Sequence, residues 1–112
     1  MMTRDWPTRK AHYQQASSSV QLGGLASNLH RIAWHAQRRM TIHPMLFRES
    51  KYFTEWAASA CSLEQQGMLA TLQQQLAWWE RGWGTRVSHE GIARDALQWS
   101  AKLLEAAGLL DR

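Results

Sequence analysis

The stretch Leu63 to Trp83, LEQQGMLATLQQQLAWWERGW, constrains this chain more than any other. Met68, Leu69, Leu72, Leu76, Trp79 and Trp83 recur at steps of three and four, the period of a helix with one apolar face. Such a face needs a core to pack on, so the stretch predicts a helix of about five turns. Its back is unusual. Thr71, Gln73, Gln74, Gln75 and Trp78 are uncharged, and between Trp56 and Trp79 the only charged residue is Glu64. A helix back that faces water normally carries Lys and Glu, so this one points to contact on both sides.

The same period predicts three more helices. Val20 to Arg39 has a stripe of Leu22, Leu25, Leu29, Ile32, Ala36 and Met40, with Ser19 as N-cap. Gly23 and Gly24 in its first turns each cost about 1 kcal/mol against alanine, so either the helix frays there or a neighbouring backbone comes close. Pro44 opens a helix running to Ala60 with the stripe Ile42, Met45, Leu46, Tyr52, Phe53, Trp56 and Ala60, and Glu49 falls inside it. Ser62 and Gln65 form a capping box for the Leu63 helix, which Gly84 closes in a left-handed conformation. Thr85 or Ser88 caps the last helix, with the stripe Ile92, Ala96, Trp99, Leu103 and Ala106, and Gly108 stops it. Residues 1–19 are polar and lack a sustained period. They predict a mobile tail, in which Asp5 and Pro7 start at most a short turn and Trp6 or Tyr13 can dock on the body. The expectation is an all-α chain: a four-helix up-down bundle over residues 20–112, preceded by that tail.

A chain of 112 residues buries enough surface to fold without metals or disulfides, and its single Cys61 allows neither a disulfide framework nor a cysteine pair for a metal. No apolar leader and no membrane-length run is seen, which predicts a soluble cytoplasmic product, with peripheral membrane contact left open. Charge is unevenly shared. Residues 1–48 hold seven Lys or Arg against Asp5 alone, whereas residues 49–112 hold six against eight acids. Either the halves neutralise each other, or the basic half meets an anionic partner.

Trp34 lies opposite the apolar stripe of its helix, among Ser27, His30, Arg31 and Arg38. A ring flanked by guanidinium groups, here Arg31, Arg38 and Arg39, suits a protein partner, since Trp and Arg dominate binding hot spots. It also suits single-stranded nucleic acid, whose bases stack and whose phosphates pair. Trp78, with Gln74 beside it, favours the protein reading. The histidines at 12, 30, 35, 43 and 89 have no metal-ligand spacing, no glycine-rich phosphate loop follows a strand, and Cys61 sits among small residues as a buried thiol does, so no catalytic residue, cofactor or metal is assigned. Glu49 needs a partner, for which Arg31, Arg94 or a tryptophan N–H is available; an enzyme would have to be built around it.

The blocks LASNLHRIAW, MLFRESKYFTEWA, LATLQQQLAWWERGW and ALQWSAKLLEAAGLL resemble short helical proteins of cyanobacteria in helix spacing, in the arrangement around Glu49 and Trp56, and in the terminal Gly-Leu-Leu. That resemblance implies a bacterial cytoplasm, near thylakoids, and carries over no active-site residue. The sequence therefore predicts a small accessory or assembly protein that acts by binding: it self-associates, as a homodimer for instance, or grips a protein partner through His30, Arg31, Trp34, Arg38, Arg39, Gln74 and Trp78. Nucleic-acid binding through the basic first helix is the alternative.

Overall fold

The computed structural model describes residues 5–109, and the chain there is helical almost throughout. Five α-helices follow one another: α1 (Trp6–Gln15), α2 (Ser18–Gln37), α3 (Pro44–Ala57), α4 (Leu63–Gly82) and α5 (His89–Ala106), with a 3-10 turn at Ala58–Ala60. Local chemistry sets the boundaries. The capping box forms as expected, with Gln65 N–H donating to Ser62 Oγ and Ser62 N–H donating to the Gln65 side chain. Ser88, not Thr85, caps α5, and Gly84 and Gly108 take positive φ just beyond α4 and α5. Ser17 rather than Ser19 caps α2, its Oγ accepting from Val20 N–H, while Ser19 lies inside the first turn and its Oγ donates to Ala107 O at the far end of α5.

α2 and α5 form the most extensive pair and run antiparallel. Ser19 meets the end of α5, Ser100 Oγ donates to Ala26 O midway, and Arg39 reaches Glu90 at its start. α3 and α4 form the second antiparallel pair, joined by Lys51–Glu80 and by the Gln73 amide donating to Lys51 O. Leu25, Leu29, Ile32, Phe47, Leu72, Leu76, Trp79, Ile92 and Leu103 interlock as one core, each buried almost completely. α4 touches α5 only slightly. The arrangement is thus two helix pairs sharing a core, with a fifth helix added.

That fifth helix lies where the sequence predicts a tail. α1 is capped by Asp5, whose side chain accepts from Thr8 N–H and Thr8 Oγ1; those bonds hold the Asp5 carboxyl below its ordinary pKa. None of its residues is fully buried, which is why no apolar period marks it. It docks by three side chains one or two turns apart. Trp6 packs on Tyr52 and Trp56, Arg9 pairs with Glu49, and Tyr13 stacks on Phe53 at 4.1 Å. The α1–α2 corner is fixed by Tyr13 Oη donating to Gln21 O and by the Gln21 amide donating to Ala16 O. Side chains, not a backbone, face the two α2 glycines: a Cβ at Gly24 would stand in ordinary contact, 3.8 Å from the Tyr13 ring, and one at Gly23 would stand tightly, 3.1 Å from Leu109.

α1 also explains α3. The stripe read from sequence through Glu49, Tyr52, Phe53 and Trp56 is the face that receives α1, while the face turned to α2 and α4 carries Phe47, Ser50, Thr54 and Ala57. Two of those are hydroxyl residues, which escape an apolar count. Their buried hydroxyls are satisfied locally, Ser50 Oγ donating to Leu46 O and Thr54 Oγ1 to Lys51 O. Trp99, expected in the core, is half-buried under Lys102, whose ammonium stands 5.0 Å from the ring centre. No described helix is long and apolar enough to cross a membrane.

Candidate interaction site

α2 is the central helix, buried against α5 on one side and α3 on the other, so one arc of it stays outside. Ser27, His30, Arg31 and Trp34 occupy that arc at helical spacing. Across it, Ser100 and Leu104 of α5 complete an open groove of about 530 Å³, floored by Gly23 and Ala26. Small residues make the groove, since Ala26, Ser27 and Ser100 leave the space that larger side chains would fill.

Trp34 forms one wall and is 44% exposed. It is held there: the Arg38 guanidinium lies 4.0 Å from its ring centre, Arg38 also donates to Trp34 O, and His35 meets the indole edge-on at 5.1 Å. A cation over an exposed ring contributes about 0.5–1 kcal/mol, enough to restrict the indole before any partner arrives. Pre-ordering lowers the entropy lost on binding. Arg39 is committed elsewhere, to Glu90 at 3.4 Å in an exposed pair. Arg31 has no ion-pair partner among the described residues, and no carboxylate lines the groove.

Of the residues singled out from sequence, His30, Arg31 and Trp34 thus share one groove, Arg38 braces its wall, and Arg39 lies beyond it. Gln74 and Trp78 belong to a separate surface, the outer face of α4, with Trp78 47% exposed. The α5 half of the groove, Ser100 and Leu104, was not anticipated. Only the antiparallel pairing of α2 with α5 brings it there.

Glu49 is an anchor between helices. Its Oε1 accepts from Asn28 Nδ2 at 3.2 Å, its Oε2 binds Arg9, and its side chain is 15% exposed. Neither Arg31 nor Arg94 is its partner: Arg31 lines the groove and Arg94 pairs with Asp95. Burial and the nearby Cys61 push the Tyr13 hydroxyl far above its ordinary pKa, and burial also raises the Cys61 thiol. Both favour the neutral, unreactive form. Among the described residues, no three of His, Cys, Asp and Glu come together to hold a metal. No family model, curated protein or solved structure matches this chain.

Proposed function

We propose that this protein is a non-enzymatic interaction module, a small accessory or assembly factor that grips a protein partner through the Trp34 groove. The observation that carries the reading is a large indole, exposed yet fixed by Arg38, forming the wall of an apolar groove beside Arg31. Hot spots have this make-up: a rigid aromatic anchor and an arginine, next to a concave apolar surface. A partner segment carrying an apolar side chain for the groove and an acid for Arg31 suits it. Location in the cytoplasm is part of the proposal.

Nucleic-acid binding is the second reading, favoured by Trp34 with Arg31 in the second half of α2 and Arg38 and Arg39 just after it. Two contacts weaken it. Arg38 already covers one face of the Trp34 ring that a base would stack on, and Arg39 is paired with Glu90. Affinity capture from lysate with and without nuclease, comparing wild type with Trp34→Ser, separates the two. A protein retained by wild type and lost by the variant supports the first reading. Retention that vanishes with nuclease supports the second.

A further inference from the structure

The outer face of α4 has a second regular seam. Glu64, Gly67, Thr71, Gln74, Trp78 and Arg81 follow at steps of three and four, all exposed, on the side opposite Leu69, Leu72, Leu76 and Trp79. Alternating steps of three and four form the stripe by which two helices pack along their length. Read from its two ends, the seam is complementary to itself. Inverting it about its middle sets Glu64 against Arg81, Gly67 against Trp78 and Thr71 against Gln74: an acid on a base, a gap on the largest side chain, and a hydroxyl on an amide.

We infer that this face is the seam of a twofold homodimer, in which α4 packs antiparallel on α4 of a second copy, Trp78 of each filling the space over Gly67 of the other. This deepens the reading of the chain as an interaction module, at a face separate from the Trp34 groove.

Gly67 is the telling residue. Glycine inside a helix is unfavourable, and what it offers in return is room for a close approach. Nothing within the chain does so, since a Cβ at Gly67 would meet no atom within 4 Å. The fold itself leaves this glycine unexplained, and a ring from another molecule explains it. Trp78, about three turns along the same face, is the matching projection and makes no ring or cation contact among the described residues. Thr71 Oγ1 donates to Gly67 O at 3.1 Å, so its hydroxyl oxygen remains able to accept from the Gln74 amide of the other copy.

Glu64 and Arg81 make no ion pair among the described residues and stand about 25 Å apart along the helix, too far to meet each other. Their positions at the two ends also suit the helix dipole, so it is Gly67 and Trp78 that single out a second copy. What the charges specify is direction. Parallel packing would set Glu64 on Glu64, Arg81 on Arg81 and ring on ring, whereas antiparallel packing pairs all three complementary sets. The uncharged stretch between them keeps repulsion out of the seam.

One helix pair is an interface at the small end of the specific range, so association is sought by sedimentation equilibrium of the full chain up to about 0.5 mM. Wild type should approach twice the 12.9 kDa chain mass. Trp78→Ser, Glu64→Arg and Arg81→Glu should each raise the dissociation constant at least about tenfold. The double variant Glu64→Arg, Arg81→Glu should restore association, because the pair is re-formed with reversed signs. Trp34→Ser should leave it unchanged, which keeps this test separate from that of the groove. Circular dichroism of each variant establishes that its helices are intact. A monomer at every concentration overturns the proposal, as does a dimer indifferent to Trp78→Ser or one that the charge swap does not restore.

Discussion

Removing the Glu49 charge should loosen α1 in a way that depends on Arg9. The Glu49 carboxylate is mostly shielded while Arg9 is 41% exposed, so water screens one side of the pair. A hydrogen bond to a charged group contributes about 1.5–3 kcal/mol in shielded settings, whereas exposed pairs contribute about 0–1 kcal/mol. This pair lies between, and about 1 kcal/mol of coupling is expected. Glu49→Gln keeps an oxygen for Asn28 and removes the charge. Arg9→Met keeps the stem near Trp6, whose ring centre lies 5.8 Å from the guanidinium, and removes the cation. Each single variant should lose about 1–2 kcal/mol in urea unfolding followed by far-ultraviolet circular dichroism, a fall in Tm of several degrees for a chain of this size. The double variant should lose about 1 kcal/mol less than the sum of the two. Additivity within about 0.3 kcal/mol would refute the reasoning: α1 would then be held by Trp6 and Tyr13 alone.

Other consequences follow from the same packing. Trp79→Ala should cost about 3–5 kcal/mol in urea unfolding, since the ring is wholly buried, while Trp34→Ala should cost under about 1 kcal/mol; a large loss at Trp34 in a monomer would put that residue in the core. Gly67→Ala should stabilise the isolated chain by up to about 1 kcal/mol, because helix propensity improves in open space, and should weaken self-association in the same preparation. Tyr13 has a folded pKa above its unfolded value of about 10, so its contribution is intact below that pH and is lost as the pH rises towards the folded value. The release of α1 should appear as a loss of helical far-ultraviolet signal above about pH 10 in wild type, and Tyr13→Phe should reduce that dependence.

The sequence shows most plainly where a residue's own chemistry decides the outcome. The Ser62–Gln65 capping box, the left-handed Gly84 and Gly108, and the core seam of Leu69, Leu72, Leu76 and Trp79 are local or strictly periodic, and each stands where the pattern puts it. What escapes is settled between helices. α1 carries only two aromatic anchors, Trp6 and Tyr13, with the stem of Arg9 as the third contact, and no count of apolar residues finds such a helix. The buried face of α3 is half hydroxyl, so the apolar stripe marked the face that α1 covers. The cap of α2 is Ser17, two residues before the expected Ser19, whose hydroxyl instead reaches Ala107, eighty-eight residues away. The site was half legible: the outward placement of Trp34, His30 and Arg31 is a property of one helix, while Ser100 and Leu104 reach them only through the α2–α5 pairing. Glu49 needed a partner, as buried charge requires, but the partner came from the segment expected to be a tail.

The claim that Trp34 is where a protein partner binds is tested most directly by labelling the seven tryptophans with 5-fluorotryptophan and following each fluorine resonance as the protein captured by wild type is added. The Trp34 resonance should shift or broaden while that of buried Trp79 stays in place, and an oligonucleotide in place of the protein should move neither. A Trp34 resonance that is still while the partner binds, or that answers to the oligonucleotide and not to the protein, would contradict the account.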